Sequence, residues 1–452
     1  MKRHFTLYAI VVVLTFSSCH KNFLDERPSK SLVVPETLQD YDAILDNTGV
    51  MNNMGSHAVV MDGDFEYVET NLAGQPALIR NSYLWKPDLY ETNLGTVSWT
   101  NPFKQILTAN LAIEGLGKMQ PNGSEQAQFD NILGSAHFYR AFAFHELGLL
   151  FTAPYLESTA ASTLGLPLKL TADVTDIVPR ATLKATYEQI VADLDIAVAI
   201  LPVDQQVISR PTKAAAYAQL ARVYLTMGRY DLALTNAKEA LKLKPDLLDY
   251  NTVPISTTRT FAHPFNVPNA EMLYYSRDNF SSNNNAGFLL KQDFYNEYAA
   301  NDLRKTRFYT SARRFIGTYT GLGQALCGLA TSEVYLIAAE CEARLNRPQE
   351  AVKYLNDLCI KRYDNTYVPY STNNAEQALL WALAERRKEL VTRRRWEDLR
   401  RLNLDTRFAV TLTRTFQGDT YTLPPNSSRY VMAFPQEEID NSGIVQNERK
   451  VD

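Results

Sequence analysis

Residues 214–245 constrain the fold of this chain more than any other stretch. They contain two runs of helical period in which large apolar side chains alternate with small ones, and Gly228 stands between the runs. Small side chains allow two helices to approach closely, while the large ones fill the space alongside. The stretch therefore predicts a tight helical hairpin. Its large positions include Tyr217, Leu220, Tyr224 and Tyr230, and its small ones Ala221, Ala233 and Ala240.

This pattern is that of the tetratricopeptide repeat, a unit of about 34 residues whose copies stack into a superhelix. A weaker copy spans residues 333–358, another helix pair spans 129–151 and 183–201, and a last long helix is predicted over 375–402. One repeat leaves apolar surface uncovered, so several must stack to share a core. We therefore predict a mainly α fold, a tetratricopeptide-like superhelix with helical repeats at about 99–151, 183–245 and 330–402.

Two long stretches without helical period interrupt this scaffold, at residues 47–98 and 246–328. Irregular stretches of such length in a compact protein are usually functional. We expect them, together with residues 403–452, to form a loop-rich lobe inserted into a single domain that spans residues 36–452.

The N-terminus has the order of charged, apolar and small residues that is typical of a signal peptide. Lys2 and Arg3 precede an apolar run over residues 7–16, which is shorter than the roughly 20 residues of a membrane span. Two serines then stand before Cys19, a context that resembles a bacterial lipobox. Residues 1–18 are thus predicted to be a lipoprotein signal peptide, Cys19 the lipidated residue and 19–35 a tether. A plain secretory peptide is the alternative.

Charge and composition exclude several functions. The chain has 46 Lys and Arg against 50 Asp and Glu, a net charge of −4, which argues against a nucleic-acid partner. The six histidines are scattered without metal-ligand spacing, and no phosphate loop or nucleophile elbow occurs. We predict no enzyme activity, no metal and no cofactor. Cys327, Cys341 and Cys359 are interpreted as buried free thiols, although Cys341 and Cys359 could also face each other across a helical hairpin.

The segment 385–401 carries eight Lys and Arg and four Asp and Glu, which alone would suggest a basic patch. Glu389 with Arg393, and Glu397 with Arg401, have the i,i+4 spacing of helical ion pairs. Together with the apolar face formed around Trp396, this spacing predicts a salt-bridged structural helix.

Aromatic residues make up 11% of the chain, and those at helical spacing are predicted to be core. A site for a polar ligand needs flat rings that cover its apolar faces, and planar polar groups that bond its hydroxyls. Rings and polar groups in the long loops are therefore the candidate ligand contacts, with Trp85 first among them. The candidates are Tyr83, Trp85, Tyr90 and Phe280, with Asp64, Arg80, Asn81, Arg277 and Asn279.

An ordered set of short motifs runs through nearly the whole mature chain. The motifs include Cys19 followed by Phe23-Leu24-Asp25-Glu26, Trp99 with Ala109-Asn110, Gly165-Leu166-Pro167, Thr212-Lys213-Ala214-Ala215, Glu385-Arg386-Arg387, Arg395-Trp396 with Asp398-Leu399, Phe434-Pro435 with Glu438-Ile439, and Gln446-Asn447. In this order and spacing the set resembles the SusD/RagB family of outer-membrane nutrient-binding lipoproteins.

The resemblance implies a lid at the cell surface with no covalent chemistry. Members of this family sit on a SusC-like TonB-dependent outer-membrane barrel, capture an oligosaccharide, in some members a peptide, and pass it inward. The rival hypothesis is a lipoprotein that binds peptides or proteins in the groove of its repeats. Changes that weaken binding should lie on loops 47–98 and 246–328 in the first case and on the repeat helices in the second.

Overall fold

The computed structural model describes residues 35–55, 58–91, 96–281 and 287–451, with the backbone alone described at 279–281. Residues from 38 onward form one compact unit. Its α-helices are α1 (Leu38–Leu45), α2 (Thr48–Met51), α3 (Ala58–Met61), α4 (Glu69–Ala73), α5 (Ala77–Tyr83), α6 (Val97–Leu116), α7 (Gln126–Phe151), α8 (Leu183–Ile200), α9 (Lys213–Thr226), α10 (Tyr230–Leu243), α11 (Gln292–Glu297), α12 (Arg304–Phe308), α13 (Thr331–Arg344), α14 (Pro348–Cys359), α15 (Ala375–Glu389), α16 (Arg395–Leu402) and α17 (Gln436–Ser442).

Short strands form two-stranded antiparallel pairs between and beside these helices. The pairs are β1 with β6, β2 with β3, β4 with β8, β5 with β7, and β9 with β10. The strands are β1 (Phe65–Tyr67), β2 (Leu164–Pro167), β3 (Arg180–Thr182), β4 (Met272–Tyr274), β5 (Arg277–Ser281), β6 (Phe288–Leu290), β7 (Gln324–Leu326), β8 (Leu329–Ala330), β9 (Leu412–Phe416) and β10 (Asp419–Leu423).

The predicted hairpin is present as α9 and α10. The Thr212 hydroxyl caps α9 by accepting from the backbone N–H of Ala215 at 3.2 Å. Gly228 turns the chain with a φ of +71°, in the left-handed region where a side chain is costly. Ala221 and Ala233 are fully buried, as close helix packing requires. The prediction of a mainly α, tetratricopeptide-like fold is confirmed.

The helices form a continuous stack. α6 packs on α7, α7 on α8, and α8 on α9; the stack then continues through α10 and α13 to α14 and α15. The first large core lies along this stack, and the rings of α7 belong to it: Phe138, Phe142 and Phe144 are fully buried. Among the described residues, no helix combines the length and the apolar character that a membrane crossing requires.

A second core lies between the segments that the sequence marks as irregular. It is rich in aromatic residues, and β1 and β6 bring Tyr67 opposite Phe288 within it. Residues 59–84 and 250–330 supply most of its side chains, among them Phe65, Tyr67, Tyr83, Tyr250, Phe261, Phe294, Tyr298, Phe308, Tyr309, Phe315 and Tyr319. Cys327, Cys341 and Cys359 are free and buried.

The prediction of one long helix over residues 375–402 is wrong, because this segment forms two helices. α15 ends at Glu389 and α16 starts at Arg395, and Thr392 between them has a φ of +64°. The break between the helices allows Asp398 of α16 to lie 2.9 Å from Arg386 of α15, so an ion pair joins the two helices.

The charged segment 385–401 is structural, as predicted, but its ion pairs differ from those predicted. Glu389 bonds Arg362 at 2.9 Å, and Arg401 bonds Glu340 at 2.5 Å. Arg393 donates to the backbone oxygen of Glu389 at 3.0 Å instead of to its carboxylate. Buried charges need such partners because the desolvation of each ion costs on the order of several kcal/mol. The partners come from distant segments, so these ion pairs connect separate helices of the stack.

Candidate ligand-binding site

Trp85 does not lie at the surface. Its side chain is 0% exposed, and its indole N–H donates to the backbone oxygen of Met61 at 2.9 Å. The Arg414 guanidinium lies over the ring, 4.3 Å from its centroid. Trp85 follows the end of α5 in the left-handed region, with a φ of 51°. The premise that this ring is accessible to a ligand is therefore wrong.

Tyr83 is buried beside Trp85. Its hydroxyl accepts from the backbone N–H of Tyr67 at 3.1 Å, and Arg414 lies 3.6 Å from the centre of its ring. Arg414 thus stands against both rings, and it also donates to the backbone oxygen of Val60 at 3.0 Å. A guanidinium between two aromatic rings stabilises the packing by roughly 1–2 kcal/mol. Through Arg414 on β9, Tyr83 of the second core and Trp85 of the first are joined to the same strand, and neither ring is accessible for stacking on a sugar.

Asp64 is buried too, and its carboxylate lies 2.7 Å from Arg387. Burial alone would raise the pKa of Asp64, but the charges of Arg387 and Arg395 hold it below the usual range. Neighbouring Asp62 accepts from the Asp64 backbone N–H at 2.9 Å. Burial, with the adjacent charge of Asp64, raises the pKa of Asp62 to about 8. The ion pair of Asp64 with Arg387 thus joins the segment between α3 and β1 to α15.

The other predicted residues fall into three groups. Arg80 is half-buried and pairs with Glu91 at 2.7 Å, and buried Asn81 donates to the Leu89 oxygen at 3.4 Å. Arg277 is half-buried at the start of β5, where its backbone bonds residues 52 and 54. The side chains of Asn279 and Phe280 lie outside the described part of the structure.

Tyr90 lies at an open cavity of about 380 Å³. Residues 87–91 form one wall, and residues 433–436 and 446–449 of the C-terminal segment form the other; we call this the Tyr90 cavity. The half-buried Tyr90 donates its hydroxyl to the Ala433 oxygen at 2.8 Å, which fixes the ring across the boundary between the walls. The structure therefore places one predicted ring at the cavity, with Arg80 tied to its edge through Glu91.

The C-terminal wall is held by side-chain amides that bond the backbone. Gln446 accepts from the N–H of Phe434 at 2.7 Å and donates to the oxygen of the same residue at 2.9 Å. Asn447 donates to the oxygens of Phe151 and Met432 at 2.7 and 2.9 Å. These bonds link the wall to the end of α7, so the cavity is formed before any ligand arrives.

Arg449 closes the floor of the cavity. Its guanidinium donates to the backbone oxygens of Pro87 at 3.1 Å and Lys86 at 2.9 Å, which joins the two walls. Burial lowers its pKa to about 10, so it is charged at neutral pH. The exposed carboxylates of Asp88 and Glu91 stand at the rim.

The cavity offers the two features that a polar, ring-shaped ligand requires. Tyr90 provides an aromatic surface, and Asp88 and Glu91 provide acceptors for hydroxyl groups. Carboxylates bond hydroxyls more strongly than neutral acceptors do. The described residues contain no cluster of three or more His, Cys, Asp or Glu that could hold a metal.

Sequence reasoning missed the C-terminal half of this site. Gln436, Gln446 and Arg449 line the cavity, yet the sequence alone did not mark them as ligand contacts. The sequence signal that could have indicated this wall is the pair Gln446-Asn447, one of the motifs that carry the family resemblance.

Models of known protein families match both halves of the chain. A model described as "starch-binding associating with outer membrane" matches residues 22–225, and a model of the SusD family matches residues 318–449. A tetratricopeptide repeat model matches residues 214–247, which confirms the hairpin from which the fold was predicted.

Similar proteins and structures agree with these models. A SusD-like protein of Formosa agariphila is 32% identical over 157 residues, which cover 33% of this chain and 29% of that relative. A solved SusD superfamily protein from Bacteroides thetaiotaomicron has a TM-score of 0.73 at 23% identity, covering 91% of this chain and 100% of that one. A SusD-like carbohydrate binding protein from Bacteroides vulgatus has a TM-score of 0.66 at 16% identity, covering 92% and 99%. At these identities the structures show a common fold.

Proposed function

Because the chain belongs to the SusD/RagB family of outer-membrane-associated carbohydrate-binding proteins, we propose that it is a cell-surface lipoprotein that binds an oligosaccharide and passes it to a SusC-like TonB-dependent barrel. The observation that carries this proposal is the pair of family models over residues 22–225 and 318–449. Membership in a family of binding proteins agrees with the prediction that the chain is not an enzyme.

The proposed anchor is a lipid on Cys19, which lies outside the described residues. Each buried CH₂ group of an acyl chain contributes ~0.8 kcal/mol to membrane binding, so two or more chains hold a protein stably. The predicted signal peptide of residues 1–18 and the tether of residues 19–35 belong to the same proposal.

The proposed ligand site is the Tyr90 cavity. Its support is the combination of one aromatic ring, two exposed carboxylates and walls already fixed by backbone hydrogen bonds. A rigid site loses little conformational entropy on binding, which favours affinity. The buried Trp85, Tyr83 and Asp64 do not line this cavity and are not proposed as direct contacts.

The test is a binding screen of neutral and acidic glycans and of peptides on the full chain in detergent, followed by titration calorimetry of three variants. Tyr90→Ala should weaken glycan binding by ~1–3 kcal/mol, the cost of removing an aromatic anchor. Tyr90→Phe keeps the ring and should retain most of the affinity. Tyr217→Ala, a half-buried tyrosine on repeat helix α9, is the matched control and should bind as the wild type does.

Loss of binding in the Tyr217 variant, with the Tyr90 variant unaffected, would instead support the rival groove-binding function. New reducing ends in the glycan solution would contradict a role without catalysis. Delivery is tested separately, by asking whether a TonB-dependent barrel copurifies with the full chain from native outer membranes.

A further inference from the structure

A second cavity, of about 310 Å³, opens on another part of the molecule. It lies between residues 205–212, which lead into α9, and residues 264–269 of the long loop that follows α10. We call it the Phe265 cavity. None of its lining residues lines the Tyr90 cavity.

The two cavities lie at opposite ends of α7. Gln205 at the Phe265 cavity bonds Asn131 near the start of this helix, whereas Asn447 at the Tyr90 cavity bonds Phe151 at its end. Twenty residues of α-helix separate these positions, a rise of about 30 Å. The cavities are therefore separate sites on one molecule.

Phe265 presents an accessible ring at the second cavity. Its side chain is 44% exposed, which is unusual for a residue packed against two other rings. The ring meets Tyr275 edge-on with centroids 5.1 Å apart, and His263 lies 5.2 Å away. Pro264 and Pro268 flank the turn, and the backbone N–H groups of residues 266 and 267 both bond the His263 oxygen. The exposed ring is thus held rigidly in place.

Polar groups surround this ring. Gln206 is exposed, and the amide of Asn269 also lines the cavity. Arg210, which is 4% exposed, lines it as well, and its Nη1 group has no hydrogen-bond partner among the residues that the structure describes. Because this Nη1 atom is enclosed by protein, the polar groups that a ligand can reach are those of Gln206 and Asn269.

The charges beside the cavity discriminate between ligands. Arg210 is paired with both Asp42, at 2.5 Å, and Asp46, at 2.7 Å. One guanidinium against two carboxylates leaves a local excess of one negative charge. An acidic sugar would be repelled by this excess charge, whereas a neutral sugar would not.

We propose that the Phe265 cavity is a second glycan site, which binds a neutral oligosaccharide with one pyranose face on Phe265 and hydroxyls on Gln206 and Asn269. The proposal shares its ligand class with the proposed function, but it concerns a site of its own. Two sites on one molecule would raise the effective affinity for a long glycan through multivalency.

The experiment measures stoichiometry and affinity on the full chain in detergent. The neutral probes are three heptasaccharides, one each of glucose, xylose and mannose. The other probes are an oligogalacturonate, which is acidic, and a mixed peptide library. The wild type should bind a neutral probe at two sites per chain, and Phe265→Ala should remove one site or weaken it at least tenfold. Gln206→Ala should weaken the same site, whereas Tyr90→Ala should weaken only the other. Ile255→Ala, which alters an apolar side chain 68% exposed in the same long loop, is the control and should bind as the wild type does.

Each other outcome counts against the proposal. Unchanged stoichiometry in Phe265→Ala, with loss in Tyr90→Ala, would refute the second site and leave the proposed function standing. Equal binding of oligogalacturonate at this cavity would overturn the charge argument, and a peptide displaced by Phe265→Ala would overturn the glycan assignment. If no neutral probe binds the wild type, the second site fails, whereas the proposed function fails only if no glycan of the wider screen binds.

Discussion

Replacement of Trp85 by Ala separates a structural role for this ring from a role in ligand binding. The side chain is 0% exposed, its N–H bonds the Met61 oxygen, and Arg414 covers its ring. Truncating a buried Trp to Ala costs about 3–5 kcal/mol, and this range includes the cavity that is left. The loss of the hydrogen-bond donor and of the cation–π contact places Trp85→Ala in the upper half of that range.

The assay is urea unfolding followed by far-UV circular dichroism, because removal of a Trp changes the fluorescence itself. We expect the free energy of unfolding to fall by ~4 kcal/mol. Trp85→Phe keeps much of the volume but leaves the Met61 oxygen without its donor, so it should cost roughly 1–3 kcal/mol. Trp381→Ala is the matched control: this Trp is half-buried and stacks on Tyr370 at 4.7 Å, so its loss should cost less than that of Trp85.

One result would refute this reasoning. If Trp85→Ala unfolded within ~1 kcal/mol of the wild type and bound glycan more weakly, the ring would be a ligand contact, as the sequence first suggested. Reduced binding that appears only together with reduced stability would leave the structural interpretation intact.

Three further predictions concern charge and anchoring. The pKa of Asp62 is raised from 3.8 to about 8, so between these values the folded state holds a proton that the unfolded state has lost, and the free energy of unfolding should fall as the pH rises from about 4 to about 8; in urea titrations over this range Asp62→Asn should lose less stability than the wild type. Glu389→Gln removes one of the two carboxylates that pair with buried Arg362, the other being Glu271, and should lower the free energy of unfolding by about 3 kcal/mol, the low end of the range for breaking a buried ion pair. Glu376→Gln on the exposed part of α15 should change it by less than ~1 kcal/mol. Cys19→Ala should move the protein from the membrane fraction to the soluble fraction on immunoblots; continued membrane association would contradict the lipid anchor.

The helical scaffold could be predicted because its signals are local. Ala221 of α9 and Ala233 and Ala240 of α10 are buried, as their small size in the pattern predicts, and Gly228 permits the turn that α10 needs. Such patterns depend on residues within one or two helical turns, so the sequence carries them directly.

Exposure of the loop rings could not be predicted for the opposite reason. Whether Trp85 is a surface ring or a core ring depends on Arg414, and Arg414 in turn bonds Val60, a residue 354 positions away. The break between α15 and α16 is similar, since it rests on a left-handed residue, Thr392, and not on a Gly or Pro that a sequence would display.

The sequence by itself determined the stacked helical scaffold, the predicted N-terminal lipidation signal and the resemblance to one family, because local periods and ordered motifs encode them. Only the tertiary structure decided which loop side chains remain accessible. In the folded chain Trp85, Tyr83 and Asp64 are buried, whereas Phe265 is exposed. Tyr90 lies at a cavity that the C-terminal segment completes. The physical reason is that accessibility is a property of contacts between distant segments, and no local pattern records those contacts.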